Sequence, residues 1–109
     1  MIPVMCIVQE GQISPEAEHG MKAQISAFTQ RAFSETADID WIVVARGNGF
    51  TSAAPSTSVI ASLHANRALA QSERLALITE LGYICAAQSG RTLDEVFISV
   101  RDPAPLSNE

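Results

Sequence analysis

Charge is scarce in this chain: Asp, Glu, Lys and Arg make up 17% of its 109 residues. The few charges lean acidic, 12 Asp and Glu against 7 Lys and Arg, for a net charge of −5. That balance argues against a nucleic-acid surface or an anionic membrane as partner. Aromatic residues are also sparse, at 6%. Cysteine is limited to Cys6 and Cys85, each among apolar neighbours and without a CxxC or His companion. This predicts buried thiols in a reducing compartment, not a disulfide or a metal pair. His19 and His64 are far apart in sequence and no carboxylate cluster accompanies either, so no metal is expected. Gly47-Asn48-Gly49 lacks the surroundings of a phosphate loop, and no cofactor is expected. No apolar run approaches the roughly 20 residues of a membrane span. With no basic segment leading into a long apolar one, the expectation is a cytoplasmic protein without a signal peptide.

What the chain does have is apolar content, 47% of residues, enough for a core. Its length suits one domain covering residues 1–109. Ile2 to Val8 is an almost continuous apolar run rich in β-branched residues, which predicts a strand buried on both faces. Pro3 cannot donate a ladder hydrogen bond and belongs near the strand's start. Ser14 and Pro15 open a helix as cap and first residue, and Glu16 and Glu18 suit its positive end. Ala17, Met21, Ile25, Phe28 and Ala32 form its apolar stripe, and His19 falls off that stripe onto the solvated side. A second strand is predicted over Ile39 to Ala45. The Gly47-Asn48-Gly49 turn, with hairpin potential, and a small polar join from Phe50 to Ser58 follow it.

The second half repeats this grammar. Val59 to Leu63 reads as a strand. A helix starts near Gln71 with Ala70 as a poor cap that Ser72 or water is expected to assist, and Gly90 ends it. Leu75, Leu77, Ile78, Leu81, Ile84 and Cys85 give it a wide apolar face. Thr92 to Glu95 has capping-box spacing, and Val96 to Val100 is the last strand. The fold class is therefore α+β: a β-α-β-β-α-β two-layer sandwich. Half-repeats 1–48 and 55–103 are related by a pseudo-twofold, and a tail, 104–109, follows. The four-stranded mixed sheet carries both helices on one face. Its strands read as apolar on both sides, so the other face calls for a cover, and a second copy of the chain is the expected one. A ferredoxin-like binding domain has the same element order and stays open as an alternative, differing in strand order and assembly.

Three segments resemble the tautomerase superfamily, the group of 4-oxalocrotonate tautomerase, macrophage migration inhibitory factor and cis-3-chloroacrylic acid dehalogenase. They are the opening IPVMCIVQEGQISPEAEH, the stretch Phe50 to His64 ending in Ser-Leu-His, and DEVFISVRD at Asp94 to Asp102. The resemblance covers nearly the whole chain. It implies a homotrimer with a pocket between neighbouring subunits and a small carboxylate as ligand. It also implies an amino-terminal proline whose secondary amine transfers a proton. A free α-amine titrates at about 7.7–8, which suits acid–base work near neutral pH.

Here the family's proline falls on Ile2, and Pro3 comes one place late. Bulky Ile2 disfavours removal of Met1, and with Met1 or Ile2 in place the Pro3 nitrogen is an amide. Pro3 is thus catalytic only if trimming frees it; otherwise it is an edge-strand proline, and a Met1 or Ile2 amine remains as a weaker substitute. The resemblance further implies Arg67 as a carboxylate clamp beside the start of the chain and Asn66 as a backbone donor. It implies Phe97 and Ser99 as residues lent by the adjacent subunit, where Phe97 also reads as core. Phe50 is expected at the pocket mouth. Arg46 and Arg101, at strand ends, suit ion pairs between subunits, and Trp41 suits the core or that interface. Two functions follow: a small isomerase (keto–enol tautomerase) or related hydratase, dehalogenase or decarboxylase, and a catalytically silent trimer that binds a ligand or serves as structure.

Overall fold

The computed structural model describes residues 1–44, 50–51, 54–55 and 59–103. Strand β1 (Ile2–Gln9) leads to helix α1 (Pro15–Phe33) and strand β2 (Ala37–Val44). Two short strands, β3 (Phe50–Thr51) and β4 (Ala54–Pro55), precede β5 (Val59–His64), helix α2 (Gln71–Ser89) and β6 (Val96–Arg101). The main sheet has the order β2-β1-β5-β6. β1 runs parallel to β2, β5 parallel to β6, and β1 and β5 meet antiparallel at the centre. Each half keeps its own two strands adjacent, which separates this sheet from the split arrangement of a ferredoxin-like fold. An antiparallel joint between two parallel pairs is the arrangement that a pseudo-twofold produces.

The helix boundaries follow from local chemistry. Ser14 Oγ accepts from the Ala17 amide at 3.1 Å, with Pro15 at the first helical position. Ser34 ends α1 in the left-handed region at φ 59°, and its amide donates to Gln30 O. Gly90 does the same for α2 at φ 73°. Ala70 caps α2 without a side-chain hydrogen bond, so the expected help from Ser72 is absent. Thr92 and Glu95 form their capping box, Thr92 N donating to Glu95 Oε1 at 3.3 Å.

Both helices lie on one sheet face. Ile2, Val4, Cys6 and Val8 alternate into that layer from β1, and Met21, Ile25 and Phe28 meet them from α1. Val59, Ala61, Leu63, Leu81, Cys85 and Val100 complete one cluster from the second half. Cys6 and Cys85 are free, buried thiols. Burial pushes their pKa values up to about 11 and about 12, so neither is a thiolate at neutral pH. Trp41 packs half-buried against this core, with Lys22 Nζ 5.2 Å from its ring centroid.

Several expectations change. The second strand starts earlier, at Ala37, and Ala45 lies outside the described residues. Leu75 belongs to the exposed side of α2, because the stripe that meets the sheet runs through Leu81 and Cys85 instead. The join after β2 holds the antiparallel β3–β4 pair, Phe50 opposite Pro55. Arg46, Gly47-Asn48-Gly49 and the 104–109 tail lie outside the described residues. β1 is a central strand, so Pro3 is not an edge-strand proline. Ile2 N–H donates to Thr36 O on the β2 side at 2.9 Å, which turns the Pro3 nitrogen towards β5. The β1–β5 pairing begins only at Val4, so the missing donor falls just beyond the ladder's end. No helix among the described residues is long and apolar enough to cross a membrane.

Candidate functional site

Two neighbouring places collect the polar side chains: the corner where the chain begins, and the sheet face that the helices leave bare. At the corner, the Ile2 side chain is 1% exposed in the core, which turns Met1 outwards. The left-handed turn at Ser34 brings Glu35 round to meet it. The Met1 α-ammonium lies 2.6 Å from Glu35 Oε1. The other carboxylate oxygen accepts from Asn66 Nδ2 at 2.7 Å, and the same amide nitrogen donates to Phe33 O at 3.0 Å. The hydrogen bond from the terminal ammonium, then that from Asn66, holds the Glu35 carboxyl below its usual range.

Arg67 follows directly but is engaged elsewhere. Its Nη2 is 2.7 Å from Glu73 Oε2 and donates to Ala32 O at 3.3 Å. Its guanidinium stands 5.5 Å above the Phe33 ring. The hydrogen bond with Glu73 raises the Arg67 pKa and lowers that of Glu73. Asn66 and Arg67 thus share one loop and reach the end of α1 from it, Asn66 joined to the chain's start through Glu35.

The bare face is ordered in rows by strand register. Asp38, Pro3, His64 and Arg101 stand across one end. Asp40, Met5, Ser62 and Ser99 form the next row, and Ile42, Ile7, Ile60 and Phe97 the third. A cavity of about 590 Å³ opens over the first two rows, lined by Pro3, Met5, Asp38, Asp40, His64 and Arg101 among others. His64 Nδ1 donates to Asp102 O at 3.0 Å, which fixes one ring nitrogen as the donor. Arg101 Nε donates to Ser99 Oγ at 3.0 Å. Phe97 is 49% exposed here and is therefore not core.

The six residues expected at a pocket do not converge within one chain. Asn66 and Arg67 sit at the corner, whereas Pro3, Phe97 and Ser99 stand on the bare face; the Phe50 side chain lies outside the described residues. Sequence reasoning missed Glu35, which carries no motif. It also passed over Asp38 and Asp40, whose alternation with Ile39 on a strand was the readable sign that both face one way.

No family model matches the chain, and no curated protein sequence does. Solved structures do match. A fused 4-OT wild-type symmetric trimer is similar at TM-score 0.82 and 14% identity, over 97% of this chain and 92% of that one. Pt0534 inactivated by 2-oxo-3-pentynoate is similar at TM-score 0.81 and 16% identity, over 92% and 84%. N1, a member of the cis-3-chloroacrylic acid dehalogenase family, is similar at TM-score 0.78 and 12% identity, over 98% and 78%. With its β-α-β-β-α-β order, four-stranded mixed sheet and single helical layer, this chain has the tautomerase-superfamily fold.

Proposed function

We propose that the chain assembles as a homotrimer and that its clefts, at the seams between copies, act on small carboxylates by keto–enol isomerase chemistry. The observation that carries this reading is the Met1 ammonium held by Glu35 and, through it, by Asn66. A tethered amine at the mouth of the first strand is a proton carrier in a fixed place, which is what general acid–base work requires. With Met1 in place Pro3 is an amide and the terminal amine fills this role; where trimming frees Pro3, its secondary amine takes it instead. Arg67, one residue from Asn66, supplies the cation for the substrate carboxylate once it exchanges Glu73 for it. Phe97 and Ser99 come from the neighbouring copy. The trimer of fused 4-OT supports the assembly, and the inactivation of Pt0534 by a small 2-oxo acid supports the ligand class.

The test combines intact mass with turnover. Retained Met1, turnover of phenylpyruvate or 2-hydroxymuconate, and at least a tenfold loss of kcat/KM in Arg67→Ala are expected. Absence of turnover by a protein that keeps Met1 would sink the catalytic reading. The second reading, a silent trimeric binding module, is favoured by the Arg67–Glu73 ion pair, which leaves the guanidinium already neutralised. It predicts carboxylate binding by calorimetry without any turnover.

A further inference from the structure

The bare face carries opposite charges at opposite edges, and among the described residues they form no ion pairs. Asp38 and Asp40 stand on β2 and Arg101 on β6, the two edge strands of the main sheet. All three are exposed, and among the described residues neither aspartate has a hydrogen bond or ion pair, while Arg101 has only Ser99. Three strand spacings separate the edges, about 14 Å at roughly 4.8 Å each, so these groups cannot pair within one chain. Between them stand Pro3, Met5, Ser62 and His64, and the next row along the same face leaves Ile60 and Phe97 38% and 49% exposed. A surface with carboxylates at one edge, a guanidinium at the other and an exposed apolar row beside them is complementary to itself.

We propose that this face docks a second copy of the chain, with Arg101 of one copy pairing with Asp38 and Asp40 of the next. The proposal rests on the assembly reading above and adds the contacts that set its register. A guanidinium has donors for two carboxylates at once, and two acids two residues apart on a strand point the same way. Shielded by the docked copy and the apolar row beside them, such pairs discriminate against wrong registers, where like charges would meet. The same docking carries Ser99 and Phe97, on the strand and face of Arg101, to the neighbour's β2 side. The next copy then supplies the two pocket residues that one chain keeps away from the corner.

Sedimentation velocity at micromolar protein tests this on wild type, Arg101→Glu, Asp38→Lys/Asp40→Lys and the triple charge swap, with circular dichroism to confirm that each is folded. Arg101→Gln serves in place of any variant that fails to fold. An assembled wild type, at least a tenfold weaker association in each one-sided variant, and recovery in the triple swap are expected. One-sided variants that associate as tightly as wild type, or a triple swap no better than they are, would overturn the pairing and leave the trimer standing. A wild type that sediments as a monomer would overturn the assembly itself.

Discussion

Asp102 shows how much one side chain holds in this molecule. Arg74 Nη2 and the Leu69 amide both donate to its Oδ1, at 2.8 Å and 3.2 Å. Arg74 also donates through Nη1 to Val100 O at 3.0 Å, so one guanidinium ties the end of β6 to the first turn of α2. The hydrogen bond from Arg74, then that from Leu69, lowers the Asp102 pKa. A depressed folded-state pKa contributes stability above the unfolded value of about 3.9 and loses it as pH falls through the folded value. Asp102→Asn is therefore expected to destabilise at pH 7 and to unfold at the same urea concentration as wild type near pH 2. Urea midpoints at the two pH values check this. None of these partners is sequence-adjacent to Asp102, and the segment DEVFISVRD gives no sign of the bonds its last residue makes.

At the scale of the element, α2 is built on half a capping box. Glu73, at the third helical position, accepts from the Ala70 amide, but the Ala70 side chain has nothing to return. The Ala70 backbone already has the extended cap conformation, φ −68° and ψ 152°. Ala70→Ser completes the reciprocal pair and is expected to stabilise the protein by about 1 kcal/mol, read as a raised urea midpoint with unchanged slope. This defect was legible: the poor cap is visible in Ala70-Gln71-Ser72-Glu73 itself. So were the stripe of α1 and the strand positions, because spacings of two, three and four residues determine them. The exposed position of Leu75 was not legible, since a helix apolar over a wide arc does not say which part of it meets the sheet. Nor was the central place of β1, because neighbour choice in a sheet is decided by segments far away in the chain.

For the whole molecule, the deciding contact is the joint between halves. β1 and β5 are the two central strands, and the core cluster draws Phe28 and Val4 from one half, Leu63 and Leu81 from the other. A peptide of residues 1–48 keeps the β1–β2 pair and α1 but loses β5, α2 and the core residues Leu63, Leu81 and Cys85 that close over them. A fragment this short, with half of its core missing, buries too little apolar surface to be stable alone. It is expected to show no cooperative thermal transition, whereas the full chain shows one; circular dichroism on both settles it.

By itself, the sequence determined what depends on short spacing and composition: the order of the elements, the buried thiols and the repeat. Tertiary structure alone decided what meets what. Asn66 reaches Glu35 across 31 residues, and Arg101 shares a row with Pro3, only because β1 and β5 chose each other as antiparallel neighbours. The reason is physical. Side-chain periodicity is a property of the backbone over a few residues, while strand pairing minimises the exposure of the whole apolar surface at once, and no local pattern records that minimum.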